Sequence, residues 1–201
     1  MNAIEAAIFD AGGVLRKKVG KGLHDLARKK LRIPDMEEYQ KVYKKLYPLV
    51  TTGKLSEEEF WRQVHERTAA KGKVPKESLF LTYHKRQYQP NDEVLATIEL
   101  LLQEGIAVAL CSNSVPSRAQ YDTEQGLYNS FLPSHRILSH EVGYRKPQPE
   151  IYQRTLAVLG SSPQKTFFID DHSENTAAAE TLGMRGIIFQ NPQQLNRILF
   201  M

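Results

Sequence analysis

Short apolar runs recur along this chain with longer amphipathic stretches between them, and that alternation limits the fold more than any other feature. The runs are Ile4 to Phe9, Ile106 to Leu110, Arg136 to Leu138, Thr166 to Ile169 and Gly186 to Phe189. After Asn91, a candidate helix cap, Val94, Leu95, Ile98, Leu101 and Leu102 repeat at helical spacing, and Gly105 offers the stop. Pro149 to Leu159 and Glu174 to Leu182 read the same way, closed by Gly160 and Gly183. Strand, helix, strand, helix implies a parallel sheet covered on both faces, a three-layer α/β core of Rossmann-like type.

The stretch from Arg16 to Gln89 interrupts the alternation with no convincing strand. Asp35 with Glu38 and Ser56 with Glu59 form capping-box patterns. Met36, Tyr39, Tyr43, Leu46 and Val50 share one helix face, and Leu55, Phe60, Val64 and Thr68 another. The expectation is a core built from residues 1–15 and 90–201, with residues 16–89 inserted as a small helical cap. The insertion leaves and rejoins the sheet near its C-terminal edge, where open α/β sheets bind ligands, so it is placed to act as a lid.

Composition narrows the setting. Cys111 is the one cysteine, so no intrachain disulfide forms and a reducing compartment is expected. The segment MNAIEAAIFD has no basic start and only a short apolar run, unlike a signal peptide. No apolar stretch approaches the ~20 residues of a membrane helix. A soluble, cytoplasmic protein is expected, without membrane partners. The net charge of +4 is scattered. It reads as a solvated basic surface attracting small anions, not as a nucleic-acid site.

Four short segments after predicted strands carry chemistry. In IFDAGGVL, Asp10 ends an apolar run before Gly12 and Gly13, which permit a tight turn and close backbone approach. Its carboxylate suits a nucleophile, a metal ligand or a simple turn cap. In VALCSNS, Ser112 and Asn113 are potential donors to phosphate oxygens or ordinary turn formers. In GYRKP, Pro147 restricts Lys146 to extended geometry, where it can neutralise an anion. In TFFIDDHSEN, Asp170 and Asp171 repel one another at a strand end, and a hard cation such as magnesium relieves that repulsion. Capping of the next helix by Asp171 is compatible with this.

Together, in this order and spacing, the segments resemble the four signature motifs of the haloacid dehalogenase-like hydrolases. Asp10 matches the nucleophile, Ser112 the hydroxyl of the second motif and Lys146 the lysine of the third. Asp170 and Asp171 match the acidic fourth motif, with Asn175 at a polar position after it. The resemblance spans essentially the whole chain. The insertion, with TTGKLSEEEFW, resembles the cap of the subgroup holding sugar phosphatases and the phosphatase domain of epoxide hydrolases.

The resemblance implies magnesium-dependent hydrolysis of a small phosphorylated metabolite, a sugar phosphate being the subgroup's suggestion. A monomer or homodimer is expected, which of the two not being legible. Asp10 would attack phosphorus to form an aspartyl-phosphate that water hydrolyses. Asp10, the Gly12 carbonyl, Asp170 and Asp171 would hold Mg2+. Ser112, Asn113 and Lys146 would hold the phosphoryl oxygens. The substrate itself is not legible.

Gly12 departs from the family's phosphatases, which carry there an Asp that protonates the leaving group and later activates water. Such assistance contributes roughly 10²–10⁴-fold. Three resolutions are open: slow turnover favouring good leaving groups, replacement of the acid by a water or a cap residue, or another function. His24, His65 and His84 are the replacement candidates, with surface positions as the plainer reading. The other functions are a haloacid dehalogenase, which attacks carbon without magnesium, and a non-catalytic ligand-binding or interaction protein. The acidic pair argues against the dehalogenase. Arg16, Lys17, Lys18 and Lys21 form a basic stretch after the nucleophile, either selecting an anionic substrate at the hinge or merely solvated. Phe60 and Trp61 read as packing inside the cap, and Cys111 as strand packing.

Overall fold

The computed structural model describes residues 4–17 and 22–200, so Lys18 and Lys21 of the basic stretch lie outside the described residues. Strand β1 (Ala6–Phe9) is followed by four helices: α1 (Gly22–Leu31), α2 (Met36–Thr51), α3 (Glu57–Arg67) and α4 (Leu79–Gln87). The chain continues through α5 (Asp92–Gln103), β2 (Ala107–Ser112), α6 (Pro116–Glu124), β3 (Arg136–Leu138) and the single turn α7 (Ser139–Val142). It ends with α8 (Pro149–Leu159), β4 (Thr166–Asp170), α9 (Ser173–Thr181), β5 (Arg185–Ile188) and α10 (Pro192–Phe200). All five expected strands are present, β3 with the expected bounds and the other four shifted by one or two residues at one end or both.

The strands form one parallel sheet in the order β3-β2-β1-β4-β5. Central β1 has only four residues, but all are completely buried and flanked by strands on both sides. Its alternate residues feed different layers. Ala7 and Phe9 join Leu110, Ile169 and Ile187 against α5, α6 and α10. Ile8 joins Ala109, Ile137 and Phe168 against α8 and α9. These two packed faces are the three-layer α/β architecture expected from the alternation. Full burial of each large apolar side chain stabilises by roughly 1.5–3 kcal/mol. The parallel pairing of strands far apart in sequence follows from that burial.

Helices α1 to α4 share a separate apolar cluster around Tyr39, Leu46, Phe60, Trp61, Val64 and Phe80, which also takes in Val115. Phe60 and Trp61 are buried there, packed edge to face at 4.9 Å between ring centres. Asp35 caps α2 through the Glu37 and Glu38 amides, and Ser56 caps α3 through the Glu59 amide. The segments entering and leaving the four helices run side by side. Lys17 N–H donates to the Gln89 carbonyl (2.9 Å), Asn91 N–H to the Leu15 carbonyl (2.8 Å), and Arg16 bridges Pro90. Asn91 precedes α5, but its side chain does not cap the helix; it donates to the Val14 carbonyl at 3.2 Å. No helix among the described residues is long and apolar enough to cross a membrane.

Candidate active site

The chain leaves β1 on one side of the sheet, builds β2 and β3, then returns to the other side to build β4. A crevice opens at such a reversal, beyond the C-terminal strand ends. Asp10 and Asp170 stand on its two sides, at the ends of β1 and β4. The Asp10 amide donates to the Ile169 carbonyl at 2.9 Å, which fixes the first carboxylate against the second strand.

Lys146 joins them. Its Nζ donates to Asp10 Oδ1 at 2.5 Å and to Asp170 Oδ2 at 2.7 Å. The Lys146 side chain is 1% exposed and those of Asp10 and Asp170 are 9% and 0% exposed, so the pairing is shielded from solvent. The lysine backbone is clamped by Asn113: Lys146 N–H donates to Asn113 Oδ1 (2.8 Å), and Asn113 Nδ2 donates to the Lys146 carbonyl (2.9 Å). Asp170 is fixed in turn. Its Oδ1 accepts from the His172 amide at 2.9 Å and its Oδ2 from Asn175 Nδ2 at 3.0 Å.

Burial pushes the Asp10 carboxyl up to about 6, against the opposing pull of the Lys146 ammonium. For Lys146, burial alone favours the neutral amine. The Asp10 and Asp170 carboxylates override it and hold the pKa above the usual lysine value, so the ammonium stays charged. Asp171 completes the cluster: oxygens of Asp10, Asp170 and Asp171 all lie within 4.8 Å of one another. Lys146 is bonded to two of these three carboxylates, Asp10 and Asp170. An all-oxygen donor set of three converging carboxylates fits a hard divalent cation.

The two glycines that follow Asp10 and Ala11 have different jobs. Gly13 has φ +82°, and a Cβ there would meet Asp171 Oδ2 at 2.5 Å. Only glycine lets the turn pass this carboxylate. Gly12 is not crowded: a Cβ would lie 3.7 Å from Asp10 Oδ2 and 3.9 Å from Arg16 Nη2. Both are ordinary contacts. Ser112 is buried at the end of β2, beside β1 and paired with Leu138 of β3. A cleft of about 570 Å³ opens beside Lys146. It is lined by Pro48, Leu49, Thr52 and Lys54 from the helical segment and by Asn113, Arg145, His172, Glu174 and Asn175 from the sheet edge.

The surface reading of the three histidines does not hold. His84 is 5% exposed, because α4 packs against α6. His24 and His65 are partly buried, bonded to the Tyr39 hydroxyl (3.0 Å) and the Gly72 carbonyl (2.6 Å). Sequence reading also passed over Asp122, the residue that organises this region. It is completely buried, accepts from His84 Nε2 at 2.6 Å and the Tyr128 hydroxyl at 2.8 Å, and forms an ion pair with Arg16, whose Nε lies 3.2 Å away. An acidic residue inside a polar, weakly patterned segment gives no local signal for such a role. Cys111 is buried, and burial pushes its thiol up to about 11, consistent with packing alone.

A family profile described as haloacid dehalogenase-like hydrolase matches residues 4–183. The chain is 24% identical over 185 residues to the sesquiterpene phosphatase astK of Aspergillus oryzae, covering 91% of this chain and 88% of that protein. Its fold is similar to that of the HAD family enzyme BT-2542 of Bacteroides thetaiotaomicron, with TM-score 0.81, 20% identity and all of both chains covered. A structure of the same enzyme in complex with magnesium and inorganic phosphate aligns with TM-score 0.72 and 22% identity over 94% of this chain and 96% of that one. A predicted HAD-like family hydrolase from Porphyromonas gingivalis aligns with TM-score 0.75 and 25% identity over 98% of each chain. With the profile spanning most of its length and the acidic crevice at the sheet reversal, this chain belongs to the haloacid dehalogenase-like hydrolases.

Proposed function

We propose that the chain is a magnesium-dependent phosphatase acting on a small phosphorylated metabolite through an aspartyl-phosphate on Asp10. The observation that carries this reading is the buried Lys146 ammonium held between Asp10 and Asp170, beside a third carboxylate. That arrangement can steady a nucleophilic carboxylate and present positive charge to an incoming dianion. The phosphatase relative and the magnesium–phosphate complex of a structural neighbour support it.

Asp10 would form the new oxygen–phosphorus bond while the ester bond breaks. Lys146 orients Asp10 and offers its charge to a phosphoryl oxygen. Ser112 is assigned to a second phosphoryl oxygen. Asn113 acts through Lys146, whose backbone both of its amide atoms hold. Asp10, Asp170, Asp171 and the Gly12 carbonyl would hold the magnesium ion, which when bound neutralises charge on the transferring group. The residues of the four-helix segment, as a cap, would line the leaving-group side of the cleft.

The test is hydrolysis of 4-nitrophenyl phosphate by the wild type and by Asp10→Asn, with magnesium and with chelator. Magnesium-dependent turnover that falls at least about 10³-fold in the variant is expected for loss of the nucleophile. Equal turnover in the two proteins, or none in the wild type, sinks the reading.

A further inference from the structure

The missing acid at position 12 leaves a chemical gap, and a guanidinium lies beside it. A Cβ at Gly12 would point into a space bounded by Asp10 Oδ2 at 3.7 Å and by Arg16 Nη2 at 3.9 Å. Asp10 Oδ1 is taken by Lys146, so Oδ2 is the oxygen facing this space. The guanidinium beyond it is held by a buried network. Arg16 Nε lies 3.2 Å from Asp122 Oδ2, and Nη1 donates to His84 Nδ1 at 3.3 Å. Accepting there leaves His84 Nε2–H to donate to Asp122 Oδ1 at 2.6 Å, and Tyr128 donates its hydroxyl to Asp122 Oδ2 at 2.8 Å. The Arg16 side chain is 14% exposed and that of Asp122 0%, so the cation is fixed and largely dry. Its backbone is fixed as well, by the Ala11 carbonyl at 3.0 Å and the bridges to Gly12 and Pro90. Nη2 makes no hydrogen bond among the described residues.

We propose that Arg16 is a catalytic residue which stabilises the departing oxygen of the phosphate ester, where other members of the family place an acid. This rests on the phosphatase reading above and deepens it. In-line attack puts phosphorus about 3–3.5 Å from the attacking oxygen and the leaving oxygen one bond further on. Arg16 Nη2 and Asp10 Oδ2 flank the same small space, so the two can face the two ends of that line. The Asp10–phosphorus bond forms as the ester P–O bond breaks. The bonding pair leaves on the ester oxygen, and no proton is transferred to it in the site. Arg16 hydrogen-bonds the oxyanion, which takes its proton from solvent after release. Arginine stays protonated at all working pH values, so it cannot serve as an acid or base. The substrate class follows: phosphate esters of acidic hydroxyls, such as phenols, enols and carboxylic acids, in preference to esters of simple alcohols. Removing one preorganised donor from a developing oxyanion costs about 10²–10³-fold.

The experiment measures kcat/KM for a series of aryl phosphates, from nitrophenyl to phenyl, in the magnesium-loaded enzyme. Wild type, Arg16→Met and Arg16→Lys are compared. Because Arg16→Met strands Asp122, the double variant Arg16→Met with Asp122→Asn is included, and melting curves establish that the proteins fold. The expected result is a loss of about 100-fold for phenyl phosphate in Arg16→Met and in the double variant, shrinking steadily as the leaving phenol becomes more acidic, with Arg16→Lys intermediate. An equal loss across the series, or none, overturns the proposal while leaving the phosphatase reading intact. So does a loss confined to the KM of substrates bearing a second anionic group, which would make Arg16 a substrate clamp. A wild type inert toward the whole series overturns both readings.

Discussion

Gly12 and Gly13 are neighbours of identical composition with opposite tolerance for a side chain. The Gly13 backbone is left-handed, and its missing Cβ is the space taken by the Asp171 carboxylate. Gly13→Ala must both adopt a conformation costing about 1–2 kcal/mol and push Asp171 aside. Gly12 has open space and no such conformation, so Gly12→Ala is expected to change stability by less than about 1 kcal/mol, in either direction. Urea unfolding with magnesium titration by calorimetry checks both. Gly13→Ala should lose stability and bind magnesium at least about tenfold more weakly, the cost typical of disturbing a ligand's surroundings. Matching behaviour of the two variants would undo this assignment. The sequence points to the pair as a turn but does not separate its members, because the difference comes from a carboxylate just past the end of another strand. The same holds for Arg16, which reads like Lys17 in the sequence and is distinguished by His84 and Asp122, partners far along the chain.

At the level of elements, what was legible depended on how strongly each segment is patterned. The five strands are legible as apolar runs and helices α5 and α8 by apolar periodicity; α9 buries only Thr176 and Ala179 and is legible from its place in the alternation and from Gly183. Helix α6 (PSRAQYDTE) buries only Ala119 and Asp122, so periodicity has almost nothing to report. It is held instead by its neighbours. Val115 precedes it and offers no capping side chain. Glu57 of α3 does the capping: its Oε1 accepts from the Ser117 amide at 2.8 Å and its Oε2 from the Ser117 hydroxyl at 2.7 Å. A carboxylate at a helix N-terminus satisfies amides without a partner inside the helix and complements the helix dipole. Glu57→Ala is therefore expected to destabilise the protein by about 1 kcal/mol, the usual worth of an N-cap. A double-mutant cycle with Ser117→Ala on chemical unfolding should show coupling between the two positions. Purely additive effects would mean that the hydroxyl bond contributes nothing, and an unchanged stability of Glu57→Ala would mean the same of the amide bond.

The whole molecule is tied together where that segment meets the sheet, and the tie titrates. His84 comes from α4, Asp122 from α6, Tyr128 from the loop after it and Arg16 from the connection leaving β1. Tyr88 and Tyr121 pack edge-on against the His84 ring at 5.8 and 5.7 Å. Burial lowers the His84 pKa from its usual 6.5. The hydrogen bond His84 donates to Asp122 opposes that shift, and the nearby Arg16 and Arg118 charges reinforce it. Folding therefore favours the neutral ring. Below pH 6.5 the unfolded chain takes up a proton that the folded chain resists, so stability falls as pH drops, until the folded pKa is passed. Burial also lowers His24 and His140, which add to the same slope. Asp10 acts in the opposite sense: with its carboxyl raised to about 6, the folded state binds the extra proton between there and the usual carboxylate range. A single melting curve against pH mixes these contributions, so the informative quantity is the difference between the wild type and His84→Gln. Glutamine keeps one donor and one acceptor but does not titrate. The stability advantage of the wild type should be greatest near pH 7.5 and shrink steadily toward pH 5. An advantage that stays constant over that range would show that the ring is not held neutral, and that the Arg16 guanidinium is not anchored by an accepting His84 nitrogen.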